Sequence, residues 1–101
     1  MARLDIHPLR RPGPEQLVVD VQSNFLDGLH TRAVIPLLPV STAPPPLAEL
    51  NPVFAVNGVD HIMATQLLAA IDRRELRAAI GSLDAFHDAI TRALDLLLHG
   101  L

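Results

Sequence analysis

Five histidines, His7, His30, His61, His87 and His99, are the side chains in this chain best able to hold a metal or move a proton. None of them lies in an H-E-x-x-H segment or in an i, i+4 histidine pair, the spacing that puts two imidazoles on one helix face. His87 and Asp88 are neighbours in sequence and so point in different directions on a helix. Ser23, Ser41 and Ser82 all lie outside any G-x-S-x-G elbow, so no serine is presented as a nucleophile. Asp84 and Asp88 have the spacing of an acid–base pair, but Arg92 follows one turn later and makes them read as a solvated ion-pair face. There is no glycine-rich phosphate loop, and the absence of cysteine removes thiolate chemistry, disulfides and Cys-ligated zinc. Residue types and spacing therefore supply no catalytic group, no metal site and no cofactor site. They favour a binding module.

Composition narrows the partners. The chain has 101 residues, enough for one domain, with eight arginines, no lysine, eleven acids and a net charge of -3. That balance argues against a protein whose main work is coating a phosphate backbone. Phe25, Phe54 and Phe86 are the only aromatics, so base-stacking platforms are scarce. Half the residues are apolar, too many for a disordered chain, and a small domain cannot hide that much apolar surface alone. Burial against a partner or a second copy is expected. No run approaches the roughly 18 apolar residues of a membrane span, and the first residues lack the apolar core of a signal peptide. The expected location is the cytoplasm, with no membrane partner.

The elements follow from local patterns. A first short strand is expected over Arg3 to His7, and Arg11-Pro12-Gly13-Pro14 forces a turn. Leu17 to Ser23 alternates as a strand, with Leu17, Val19 and Val21 on one face and Val18, Asp20 and Gln22 on the other. A loop around Asp27-Gly28 leads to a second strand over Ala33 to Leu38, where Pro36 predicts an edge or a bulge. Ser41 to Pro52, centred on Pro44-Pro45-Pro46, is expected as a polyproline-II loop, and without flanking bases it makes a poor ligand for a proline-reading domain. Val53 to Met63 reads as a hairpin turning at Asn57-Gly58, since these residues tolerate the positive φ of a type I′ turn. Residues 66–80 carry helix-forming side chains, but Asp72 allows a short helical turn followed by a strand, and both readings stay open. Ser82 caps an amphipathic helix from Leu83 to about Leu98. Its apolar stripe is Leu83, Phe86, Ile90, Leu94, Leu97 and Leu101, and Gly100 permits a left-handed end. These elements make a small β-rich domain closed by one helix.

The segment Leu17-Val18-Val19-Asp20-Val21-Gln22-Ser23, followed by Ala33-Val34-Ile35-Pro36-Leu37, resembles the CcdB family of bacterial toxins, which carry a similar V-D-V-Q-S strand and then V-I-P-L. Leu50-Asn51-Pro52-Val53 entering the hairpin, the length of the chain and the ending Leu97-Leu98-His99-Gly100-Leu101 agree with it. The resemblance implies a homodimeric α+β fold, an SH3-like antiparallel β-barrel with a small extra sheet and a C-terminal α-helix. It also implies that residues near 73–79 are extended. The implied function is poisoning of DNA gyrase by wedging into its A subunit, GyrA. A CcdA-like antitoxin would neutralise the toxin through a disordered arm, and the pair would repress its own operon, touching operator DNA only through the antitoxin.

Carried over by position, the implied gyrase-binding residues are Phe25 and Leu26 in the loop, and Asp95, Leu98, His99, Gly100 and Leu101 at the helix end. His99 stands where the family's plasmid toxin has Trp, and Asp95 where it has Asn. Two other readings accompany this one. The chain is a retargeted homologue that binds antitoxin only, or it is an mRNA endoribonuclease of the related MazF/Kid type, for which Arg73, Arg74 and Arg77 are the available cations.

Overall fold

The computed structural model describes residues 1–100, and among them the chain forms seven strands and one α-helix. The strands are β1 (Asp5–Pro8), β2 (Leu17–Asp20), β3 (Thr31–Pro39), β4 (Val53–Val56), β5 (Val59–Met63), β6 (Ala69–Asp72) and β7 (Gly81–Ser82). They make one antiparallel sheet in the order β4-β5-β3-β2-β1-β7, with β6 branching from β3. The sheet curls into a nearly closed barrel, and helix α1 (His87–His99) lies against it. This is the α+β, SH3-like architecture the resemblance implied. The small extra sheet takes the form of the β6 branch, continuous with the barrel.

Strand β3 organises the sheet. It is longer than its sequence pattern suggested, and it is central: β2 covers one side, while β5 pairs with Leu37–Pro39 and β6 with Thr31–Val34 on the other. Pro36 is therefore neither on an edge nor in a bulge. Its carbonyl accepts from the Ala64 N–H at 2.9 Å, on the side away from β2, where β5 has ended and β6 has not begun. A missing N–H at that seam costs no ladder bond, which is why a central strand tolerates proline there.

The faces of β2 separate as their alternation predicted. Leu17, Val19 and Val21 enter the main core with Leu4, Ile35 and Met63, and Ile90 and Ala93 of α1 close it. Val18 faces a second, smaller cluster with Leu9, Val34 and Leu76. Asn57 and Gly58 have φ of 52° and 78°, the double positive φ of a type I′ turn, so the hairpin forms where the sequence placed it.

Other boundaries moved. The first strand starts at Asp5 rather than Arg3, because Leu4 sits at φ 73° in the turn before it. Over residues 65–82 no helix forms. A 3₁₀ turn at Thr65–Leu67 precedes β6, and a second at Arg73–Glu75 follows it. Asp72 caps the second turn by accepting from the Arg74 N–H at 2.8 Å. The extended segment implied near 73–79 is thus partly a turn, and the paired strand lies earlier, at Ala69–Asp72. Beyond it the chain runs beside β1, with Arg77 N–H donating to the Pro8 carbonyl and Ile80 N–H to that of Ile6.

The helix also starts later than its pattern. Ser82 Oγ accepts from the Asp84 N–H at 3.1 Å but caps no helix: Leu83 precedes the 3₁₀ turn Asp84–Phe86, and α1 begins at His87. Phe86 is half exposed despite lying on the predicted stripe, and its ring tilts against Phe54 with centroids 4.9 Å apart. Ala93 occupies the buried position the stripe omitted.

Candidate functional site

The loop between β2 and β3 carries Phe25 and Leu26 on a single 3₁₀ turn, Asn24–Leu26. Ser23 starts that turn, its Oγ accepting from the Phe25 N–H at 3.2 Å. The Phe25 side chain is 100% exposed, and Leu26 and Leu29 are each about half exposed. The backbone beneath them is held firmly. Gln22 Nε2 donates to the Leu26 carbonyl at 2.8 Å, and its Oε1 accepts from the Ala33 N–H. Arg3 N–H donates to Asn24 Oδ1 at 3.0 Å.

Below the loop lies a charged group with no exposure. Arg32, on β3, donates from Nε and Nη2 to Asp20 on β2, and from Nη1 to Asp27 Oδ1 at 2.9 Å. Arg32 and Asp20 are completely buried, while Asp27 is half exposed. The alternation of V-D-V-Q-S explains the arrangement. Asp20 and Gln22 share the face of Val18, and that face meets Arg32 and the loop instead of solvent. Their polar character on a covered face was the available signal for this network. Arg32 itself gave none, since arginine is usually exposed.

The helix end is the second cluster. Asp95, Leu98, His99 and Gly100 are all exposed, Leu98 by 62%. Gly100 takes φ 76°, ψ 22°, and its N–H donates to the Leu96 carbonyl at 3.1 Å, the left-handed helix end expected of it. Leu101 lies outside the described residues. Among the described residues, no ion pair joins Asp95 to His99, and no hydrogen bond or ion pair links the helix end to the Phe25 loop. His87 instead approaches Asp88 at 3.5 Å, against the expectation that neighbours diverge. Both side chains are exposed, and such a pair adds little.

Of the three cations available for nuclease chemistry, Arg73 and Arg74 have partners, and the Arg77 guanidinium has none among the described residues. Arg73 Nη1 donates to the carbonyls of Asp27 and Leu29 at 2.9 and 3.3 Å. Arg74 pairs with Asp72 through Nε and Nη2, a contact that, with the Arg74 N–H, holds the Asp72 carboxyl down at about 2 and pushes the Arg74 guanidinium up. Arg77 is exposed, and its carbonyl accepts from His7 Nδ1 at 2.7 Å. His61 Nδ1 lies 2.8 Å from the Val59 carbonyl. Among the described residues, no three His, Asp or Glu side chains converge to hold a metal ion.

The model of the CcdB protein family matches residues 5–100. The chain belongs to the CcdB family. Among curated proteins, no sequence matches significantly. Solved structures show the same fold at low identity. An endoribonuclease in complex with its cognate antitoxin, from a mycobacterial species, superposes with a TM-score of 0.77 at 15% identity, covering 100% of this chain and 96% of that one. The Mycobacterium tuberculosis toxin MazF-mt6 superposes with a TM-score of 0.73, also at 15% identity, covering 92% of this chain and 94% of its own. As a CcdB-family barrel, this chain shares its architecture with both.

Proposed function

We propose that this CcdB-family chain is the toxin of a toxin–antitoxin pair, and that it acts without catalysis, by binding the A subunit of DNA gyrase and trapping the enzyme on cleaved DNA. The binding surface would comprise Phe25, Leu26, Asp95, Leu98, His99, Gly100 and Leu101, presented by a homodimer. A CcdA-like antitoxin would neutralise it and carry the complex to operator DNA. One observation carries this reading: within a chain matched by the family over residues 5–100, Phe25 and Leu98 stand open to solvent at the two places to which the resemblance assigns target binding. Large apolar side chains left in water on a well-packed barrel are best explained by a partner.

The engaged state of Arg73 and Arg74, which leaves Arg77 as the one free cation of the three among the described residues, supports the non-catalytic reading over an endoribonuclease. A cation must be free to follow charge onto a scissile phosphate, and both guanidiniums already have partners. Purified protein should be assayed for inhibition of gyrase supercoiling and for trapped cleavage complexes, beside an RNA-cleavage assay. Trapped complexes without RNA cleavage are expected. RNA cleavage with untouched gyrase would replace this reading by the endoribonuclease one, and inactivity in both assays would favour a homologue that only binds antitoxin.

A further inference from the structure

Phe25 presents its whole side chain to solvent, yet the backbone that carries it is anchored from two sides. From within, Arg32 Nη1 holds the Asp27 carboxylate at 2.9 Å. From outside, Arg73 Nη1 holds the Asp27 carbonyl at 2.9 Å and that of Leu29 at 3.3 Å. Asp27 is therefore clamped between a fully buried guanidinium and that of a half-buried arginine, each on a different group of the same residue.

Stability alone accounts poorly for the buried half of this clamp. Removing a guanidinium and a carboxylate from water costs several kcal/mol per ion, and apolar side chains of equal volume usually serve stability as well. What a guanidinium adds is direction, because its donors sit in a rigid planar fork. In Arg32 two of them fix on Asp20, and a third is thereby aimed outward at Asp27. Arg73, on the turn after β6, closes over the same loop from a different part of the chain. A loop ordered before binding loses little conformational freedom when a partner arrives, which raises affinity without adding a contact.

We propose that Arg32 and Arg73 are positioning residues which, through Asp27, fix the loop of residues 23–30 and present Phe25, Leu26 and Leu29 as one preformed apolar knob for an apolar pocket on the target protein. The proposal rests on the reading of this loop as part of the gyrase-binding surface, and it adds Leu29, 47% exposed, to that surface. One oxygen of the half-exposed Asp27 carboxylate is already held by Arg32, so the knob is read chiefly by its shape and apolar area.

Asp27→Asn, Arg73→Gln and Arg73→Lys in the full-length protein test this. Arg32 is left in place, since its loss would strand the buried Asp20. Two quantities are measured: amide hydrogen exchange at Leu26, Asp27 and Leu29, and affinity for purified GyrA, with Phe25→Ala as the reference. Asp27→Asn and Arg73→Gln should accelerate exchange and weaken binding about fivefold, the scale of coupling between residues that share partners. Arg73→Lys keeps a donor for the two carbonyls and should restore both. In a Phe25→Ala background, Asp27→Asn and Arg73→Gln should add no further loss. Fully additive losses would mean direct contact with the target and would overturn the positioning role. Unchanged exchange would overturn it whatever the affinity. Normal GyrA binding by Phe25→Ala, with exchange still accelerated by the clamp variants, would instead sink the assignment of this loop to the binding surface, and the proposal at that separate step.

Discussion

Arg32 reaches across from β3 to Asp20 on β2 with two donors on a single carboxylate oxygen, the Nε contact at 3.0 Å, and neither side chain touches solvent. The other Asp20 oxygen accepts from the Gln22 N–H at 2.9 Å, so the buried carboxylate is fully paired. Removing one partner leaves an uncompensated charge in the interior. Asp20→Ala should lower unfolding free energy by about 3–5 kcal/mol, whereas Asp20→Leu combined with Arg32→Met should recover most of it. Urea denaturation of the three proteins measures both. A double variant as unstable as the single one would show that the pair stabilises the fold in its own right.

Gly58 sets the tightness of the β4–β5 hairpin. It sits at φ 78°, and a Cβ built on it meets nothing within 4 Å, so substitution meets backbone strain and no clash. Gly58→Ala should cost about 1–2 kcal/mol, the left-handed penalty of an L-residue. Asn57→Gly, at φ 52°, should change stability by less, since glycine adopts that angle freely. Equal effects in urea unfolding would contradict the turn assignment.

The hairpin was legible in the sequence because Asn-Gly carries its mechanism locally, and the β2 alternation was legible because both faces are used. Residues 65–82 were not. Their side chains favour helix, and what overrides them is distant: Arg73 N–H donates to the His30 carbonyl and Ile80 N–H to that of Ile6, bonds that no local pattern encodes. Pro36 misled for a related reason, since its harmless position depends on where β5 stops. At the candidate site the family resemblance nominated Phe25 and the helix end, but the clamp beneath Phe25 joins residues 20, 27, 32 and 73, which only the folded chain brings together.

Asp72 offers a test of the local electrostatics. Its carboxyl is held at about 2, below the ordinary 3.8, chiefly by the Arg74 side chain and then by the Arg74 N–H. Arg74→Ala removes the first cause and keeps the second, so the value should rise part of the way to 3.8, as read by NMR titration. A depressed folded value means the contact helps the fold above about pH 3.8, and that help is lost as the pH falls through 2. Near neutral pH the contribution does not vary with pH.

Leu67, on the Thr65–Leu67 turn that touches α1, is more than half exposed. Ala69 and Ala70 of β6, two and three residues further on, are exposed as well. A stable interface removes about 800 Å² from each partner, and these exposed apolar side chains would be part of one. Light scattering at micromolar concentration should give twice the 10.9 kDa chain mass, and Leu67→Asp should shift it toward the monomer. A monomer in the parent protein would remove the dimer from the proposed mechanism.

The helix end, rather than any titrating group, should decide activity. His99 and Gly100 are exposed together, and among the described residues His99 has no ion-pair partner. The imidazole is therefore available to a target but offers it little apolar area. His99→Trp should strengthen gyrase inhibition, because burying the added aromatic surface contributes on the order of 1–3 kcal/mol. Gly100→Arg tests the opposite change. A Cβ at that position meets no atom within 4 Å, so the fold has room, and the left-handed φ of 76° adds strain only to the last turn. The variant should keep its circular dichroism spectrum while losing inhibition, since a bulky charge would stand where close backbone approach is needed. Supercoiling inhibition by the two purified variants against the parent decides the matter. Parent-like inhibition by both would mean that the target does not meet the helix end, and the binding surface would then reduce to the loop of Phe25.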